Sequence, residues 1–133
     1  MAGAANAEEL LVLDHLIRNQ SYTPTATWYI GLYTTLPADD ASGGVEVSGG
    51  SYARQSVTAS SGFNAASGGA VTNASAIDFG TASASWGTIV GFGLFTAVSG
   101  GTLKYFGSLS ANKTVASGDG CKFNAGQLSV TLD

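Results

Sequence analysis

A chain of 133 residues is the size of one domain and can bury a hydrophobic core without disulfides or metals. Charged residues make up only 11% of it, with Gly, Ala, Ser and Thr in their place, which separates it from the highly charged, weakly hydrophobic chains that stay disordered. The formal charge is -4, and the five basic residues (Arg18, Arg54, Lys104, Lys113 and Lys122) stand singly along the chain, so the basic patch that drives nucleic-acid binding is missing.

Residues 4–18 form the one stretch with helical character. Leu10, Leu13, Leu16 and Ile17 recur at three- and four-residue spacing and make a narrow apolar stripe. Asn6 is positioned to cap the start, and Glu8 and Glu9 suit the positive end of the helix dipole. Pro24 biases Thr23 away from helical geometry, so the helix ends before it. Acids in this segment, and no basic residue before its apolar part, argue against a secretion signal. No window reaches the roughly 20 apolar residues of a membrane span, so a soluble product made in a cytoplasm is expected.

Beyond residue 20 the chain reads as strands and turns. Residues 27–34 alternate, with Trp28, Ile30 and Leu32 on one face and Tyr29, Gly31 and Tyr33 on the other. A Gly-, Asp- and Ser-rich loop follows at 36–50, then a strand at 52–58 and a second loop at 59–69, with Phe63 as an anchor. Short strands are expected at 71–73 and 76–79. The strongest β segment is 86–95, with Trp86, Thr88, Val90, Phe92 and Leu94 on one side and Gly87, Gly91 and Gly93 on the other. Those glycines predict a bulge or the close approach of another backbone. Ser99-Gly100-Gly101 turns the chain into a strand at 103–109, and further strands at 113–115, 120–123 and 128–132 complete about eight or nine.

Many short strands with Gly-rich turns and no second helix predict a mainly β fold. It is an antiparallel β-sandwich or jelly roll preceded by one N-terminal amphipathic helix, with the helix at 1–20 and a single β domain at 21–133.

The residues offer little chemistry. His15 is the lone histidine and therefore the only imidazole base for a nucleophile such as Cys121. It lies between Leu13 and Leu16 on the helix, and Cys121, the sole cysteine, sits in a strand where a thiol behaves as a small hydrophobe. Glu46 and Asp78 have no spacing that pairs them in a cleft. Asp78 and Asp119 read as turn or cap residues, and the chain lacks the His/Cys set or Asp-rich loop of a metal site. Gly91-Phe92-Gly93 is followed by no helix, so a dinucleotide site is unsupported. No catalytic residues, metal or cofactor are expected.

The order of segments is more telling. Leu11-Val12-Leu13-Asp14-His15-Leu16 leads into Ser21-Tyr22-Thr23-Pro24, then Trp28-Tyr29-Ile30-Gly31-Leu32-Tyr33-Thr34-Thr35. Gly43-Gly44-Val45-Glu46-Val47 and Ser51-Tyr52-Ala53-Arg54-Gln55 follow, then Trp86-Gly87-Thr88, Gly91-Phe92-Gly93-Leu94-Phe95, Lys113-Thr114-Val115-Ala116-Ser117-Gly118-Asp119 and Leu128-Ser129-Val130-Thr131-Leu132-Asp133. In this order the chain resembles a family of small bacteriophage virion structural proteins of tail-fibre-like or head-decoration type. Gly120 and Cys121 depart from the ordinary strand residues expected there.

The resemblance implies a non-enzymatic virion subunit, with a capsid decoration or cement role as the first expectation. A tail-associated role (fibre, baseplate or tail decoration) is the alternative. It implies partners among other virion proteins, either the major capsid protein or tail proteins, and a homo-oligomer, trimer or dimer, without nucleic acid or membrane. Tyr29, Tyr33 and Tyr105, off the expected core face, are candidate subunit contacts, because Tyr favours interfaces. Trp28 and Trp86 could stack on sugars if exposed, but their alternating strands favour core packing.

Overall fold

The computed structural model describes residues 2–132, so the outermost residues of the two expected segments, 1 and 133, lie outside the described residues. Three strands carry the architecture. β2 (Thr27–Thr35) pairs antiparallel with β7 (Gly87–Phe95), which pairs with the long β8 (Leu103–Val115). β1 (Ala2–Ala4) adds to the far edge of β8. β3 (Val45–Glu46) and β4 (Gln55–Thr58) pair with the two ends of β2, making a six-stranded sheet. The other layer is two antiparallel pairs. One joins β6 (Ile77–Thr81) to β9 (Gly120–Phe123), and the other joins β5 (Ala70–Thr72) to β10 (Ser129–Thr131). The fold is mainly β, with antiparallel sheets in a sandwich and one long helix, α1 (Asn6–Arg18), near the N-terminus.

The alternation of β2 places Ile30 and Leu32 in the core, both fully buried. From β7, Ile89, Phe92 and Leu94 join them, and from the second layer Ile77, Phe79, Cys121 and Phe123. The Phe123 ring meets Phe79 and Phe92 edge-on at 6.2 and 5.9 Å between centroids. Each such side chain contributes about 1.5–3 kcal/mol of burial, so the interface between the layers is the main source of stability.

The opposite face of the large sheet is lined by glycine. Gly31 and Gly93 are cross-strand partners. A Cβ on Gly93 would lie 2.7 Å from Leu103 and 2.8 Å from Tyr33, so bare backbone lets those side chains and Phe95 lie flat as a second small core. At Gly91 a Cβ would meet the Gly107 carbonyl at 2.5 Å, the close backbone approach expected from the sequence.

Two charged or polar ties hold the periphery. Arg54 binds Glu46 through both carboxylate oxygens (Nε to Oε2 2.9 Å, Nη2 to Oε1 2.8 Å) and donates from Nη1 to the Ala97 and Gly100 carbonyls at 2.8 Å each. Its guanidinium lies 3.5 Å from the Phe95 ring centroid. Tyr52 Oη donates to Glu46 Oε2 (2.6 Å) and accepts from Leu32 N (2.9 Å). The clasp therefore ties β2, β3, the approach to β4 and the β7–β8 turn. Burial pushes the Glu46 carboxyl up, but the Arg54 and Tyr52 hydrogen bonds and the neighbouring guanidinium outweigh it and hold it below its ordinary range.

The second tie is Asn73, fully buried. Its Nδ2 donates to the Ser75 and Asn124 carbonyls (2.8 and 3.0 Å) and its Oδ1 accepts from Leu128 N (2.9 Å). One amide thereby fastens the link between β5 and β6 to the turn between β9 and β10.

Several sequence expectations need correction. The helix starts at Asn6, not at residue 4, with Ala5 in the capping position and no side-chain cap; residues 2–4 are instead drawn into the sheet by β8. The 36–50 loop contains β3, and the 59–69 loop contains a second helix, the single turn α2 (Ala59–Gly62). Expected strands at 103–109 and 113–115 are one strand, β8, because Ile89 pairs with Lys113 and Thr88 with Thr114, carrying the β7 ladder on. Between Ile89 and Gly91 the register jumps from Lys113 to Ser108, so that Leu109 to Asn112 of β8 stand opposite Val90 alone. Across this irregularity Ile89 rather than Val90 lies in the core, and Thr88 is exposed.

Candidate assembly surface

α1 is held to the sandwich by polar groups and shows its apolar side to solvent. Ala5 N donates to the Lys104 carbonyl on β8, and Asn6 N to the Asp39 carbonyl, both at 2.8 Å. Glu8, 1% exposed, points into the body of the protein. Tyr22 Oη donates to its Oε1, and Lys104 Nζ sits 3.0 Å from Oε2 as an ion pair without hydrogen-bond alignment. Burial, together with the Glu8 carboxylate beside it, pushes the Tyr22 phenol well above its ordinary value. At the other end Asn19 takes the left-handed conformation (φ 54°), stopping the helix, and Gln20 N closes onto the Asp14 carbonyl at 3.1 Å.

The consequence is a helix with its polar and apolar sides reversed. Leu10, Leu11, Leu13, Leu16 and Ile17 are 65%, 44%, 56%, 67% and 78% exposed, whereas the buried contact is a carboxylate. Helical periodicity reveals a stripe like this but not which way it faces. Five large aliphatic side chains on 13 residues form the kind of contiguous exposed patch that marks interaction sites.

Of the three candidate contact tyrosines, Tyr29 and Tyr33 share one cluster and Tyr105 stands apart from them. Tyr33 is buried against Phe95 and Leu103, with burial and the Glu46 charge raising its phenol to about 12. Tyr29 packs half-buried on the same cluster. Tyr105 lies on the core side, edge-on to Trp28 at 5.8 Å, and the two line an open groove of about 580 Å³ with Phe63, Leu94 and Val130. Trp86 is buried, its Nε1 donating to the Gly50 carbonyl at 2.9 Å, and so is unavailable for stacking on a ligand.

The groups considered for chemistry are dispersed or occupied. His15 stands exposed at the end of α1, its Nδ1 bonded to the Gln20 carbonyl at 2.8 Å, while Cys121 lies in the core with its thiol pushed up by burial. Glu46 is tied to Arg54. Asp78 accepts from Gly80 N within β6, where the ladder with β9 shifts register, and Asp119 accepts from Ala116 N in the turn before β9. Among the described residues no group of His, Cys, Asp and Glu is arranged to hold a metal ion.

A sandwich that spends its charges on internal ties and turns an aliphatic helix outward has the make-up of a structural subunit. Residues 3–131 match the family model Gp80, described as podophage GP4 fiber I protein gp80, and the chain belongs to that family. No curated protein matches it. Membership makes it a bacteriophage virion structural protein, made in the host and carried in the particle. A fibre family agrees with the tail-associated alternative better than with capsid decoration.

Proposed function

We propose that this chain is a non-enzymatic structural subunit of the phage tail, a fibre component that joins neighbouring virion proteins. The observation that carries this reading is the family match across nearly the whole chain. The outward leucines of α1 support it, since a subunit that works by packing needs apolar surface left over after its own core is closed. The dispersal of His15, Cys121 and the carboxylates supports the non-enzymatic part. Tyr29 and Tyr105, both half-buried but in different clusters, serve as secondary contact rings, while Tyr33 acts as packing beside Tyr29.

Disrupting the gene and imaging the resulting particles tests the proposal. Heads should fill and resist heat as before, with an appendage missing from the tail. Intact tails on heads that rupture early would instead favour the capsid decoration role.

A further inference from the structure

The α1 patch is wider than a helix-pairing stripe. At about 100° per residue the exposed side chains run from Leu16 through Leu13, Ile17 and Leu10 to Leu11, an arc of about 220°, and all five are at least 44% exposed. A single partner helix covers a stripe of about 100° and would leave half of these side chains in water. The helix is about 20 Å long and about 10 Å across. One flat face of it falls far short of the roughly 800 Å² per partner of a stable interface. Covering this arc takes two walls and a floor.

Charge narrows the occupant further. Glu9 and Asp14 fall within the arc, on either side of the Leu10, Leu13 and Ile17 line. Asp39 and Asp40 lie beside the helix start, where the Asp39 carbonyl accepts from Asn6 N. Against these four carboxylates stands Arg18, already 3.1 Å from Asp14, while Lys104 is taken up by Glu8. Two copies joined side by side through parallel α1 helices would set Glu9 and Asp14 against their own kind.

We propose that α1 is a plug that seats in an apolar groove rimmed by Lys or Arg on a different virion protein, the helix-in-groove mode of recognition. Leu13 and Ile17 are the central anchors, Leu11 and Leu16 meet the walls, and Glu9 and Asp14 meet the basic rim. The Glu8–Tyr22–Lys104 tie holds the plug at a fixed angle to the sandwich. The proposal rests on the tail-associated reading above and adds the chemistry of the partner.

The test uses particles made without this chain, incubated with purified full-length chain carrying a fluorescent label, with the bound label counted after sedimentation and located by immunogold. Wild-type chain should bind saturably, and Leu13→Asp/Ile17→Asp should bind at least about 30-fold more weakly, the loss of one hot spot or more. Glu9→Lys/Asp14→Lys should lose about tenfold at low salt, with a flatter salt dependence. An Asn112→Lys control on exposed β8 should bind like wild type. Circular dichroism melts confirm that each variant is folded.

Equal binding by wild type and both α1 variants overturns the plug and leaves the tail reading standing. Failure of wild-type chain to bind overturns the plug as well. Gold on heads, with the α1 dependence intact, overturns the tail reading instead. Self-association of wild-type chain in sedimentation velocity that Leu13→Asp/Ile17→Asp abolishes assigns the stripe to a second copy and also overturns the proposal.

Discussion

Replacing Arg54 by Ala tests whether the charge-poor interior depends on the few charges it holds. The guanidinium is 9% exposed and its Glu46 partner 24%. Truncation removes a two-point ion pair at 2.8 and 2.9 Å, two bonds to turn carbonyls at 2.8 Å and the stacking on Phe95. Breaking a buried pair from one side costs about 3–5 kcal/mol. Water reaches Glu46 and the turn carbonyls in part, which takes the value to the low end, and the lost cation–π contact adds roughly 0.5–1 kcal/mol. The expected loss is about 3 kcal/mol, or roughly 10 °C in Tm for a domain of this size.

Urea unfolding followed by tryptophan fluorescence measures the loss, and a cycle with Glu46→Gln isolates the pair. Coupling of about 1.5–3 kcal/mol is expected, and Arg54→Lys should recover only part of the loss because an ammonium cannot make the fork. A loss below about 1 kcal/mol would show that the clasp does not stabilise the fold. An Arg54→Ala/Glu46→Gln double variant whose loss equals the sum of the singles would show that the two side chains are not coupled.

Asn73→Ala should lose about 3 kcal/mol in the same assay, since it strands the buried Leu128 N–H and two carbonyls; Asn73→Asp should also lose, because a carboxylate cannot donate to those carbonyls. Glu46 has a depressed folded-state value, so its stabilisation is complete above its unfolded value of 4.5 and drains away as pH falls through the lower folded value. Unfolding measured from pH 7 down to about 3 should show this slope, and Glu46→Gln should flatten it. A thiol reagent should label Cys121 only in denaturant, and rapid labelling of native protein would contradict its core position. Leu13→Asp should leave unfolding free energy within about 0.5 kcal/mol of wild type, because its side chain faces water.

What sequence patterning could reveal differed from element to element. In β2 the two-residue period and the burial agree, with Ile30 and Leu32 inward, because the strand is regular where it pairs with β7. In β7 the same logic failed at one place, since between Ile89 and Gly91 the register with β8 jumps from Lys113 to Ser108, an irregularity that period-two counting along β7 cannot see. β8 reads as two strands because Ser110, Ala111 and Asn112 are weak strand formers, and it is there, between Ser108 and Lys113, that the pairing with β7 is interrupted.

The α1 stripe was legible as helix, but its direction depended on Glu8, whose burial is set by Lys104 and Tyr22 from distant parts of the chain. The Glu46–Arg54 clasp left one faint signal. In a chain with 11% charged residues, an Arg and a Glu eight positions apart around a Gly-rich turn are worth pairing.

Averaged electron-microscopy density of the intact virion, into which this sandwich is fitted, bears most directly on the proposed role. Copies should sit on the tail, with Leu13 and Ile17 enclosed by another protein and the two-layer core unchanged. Copies confined to the head lattice, or tail copies whose α1 helix stands free in solvent, would contradict it.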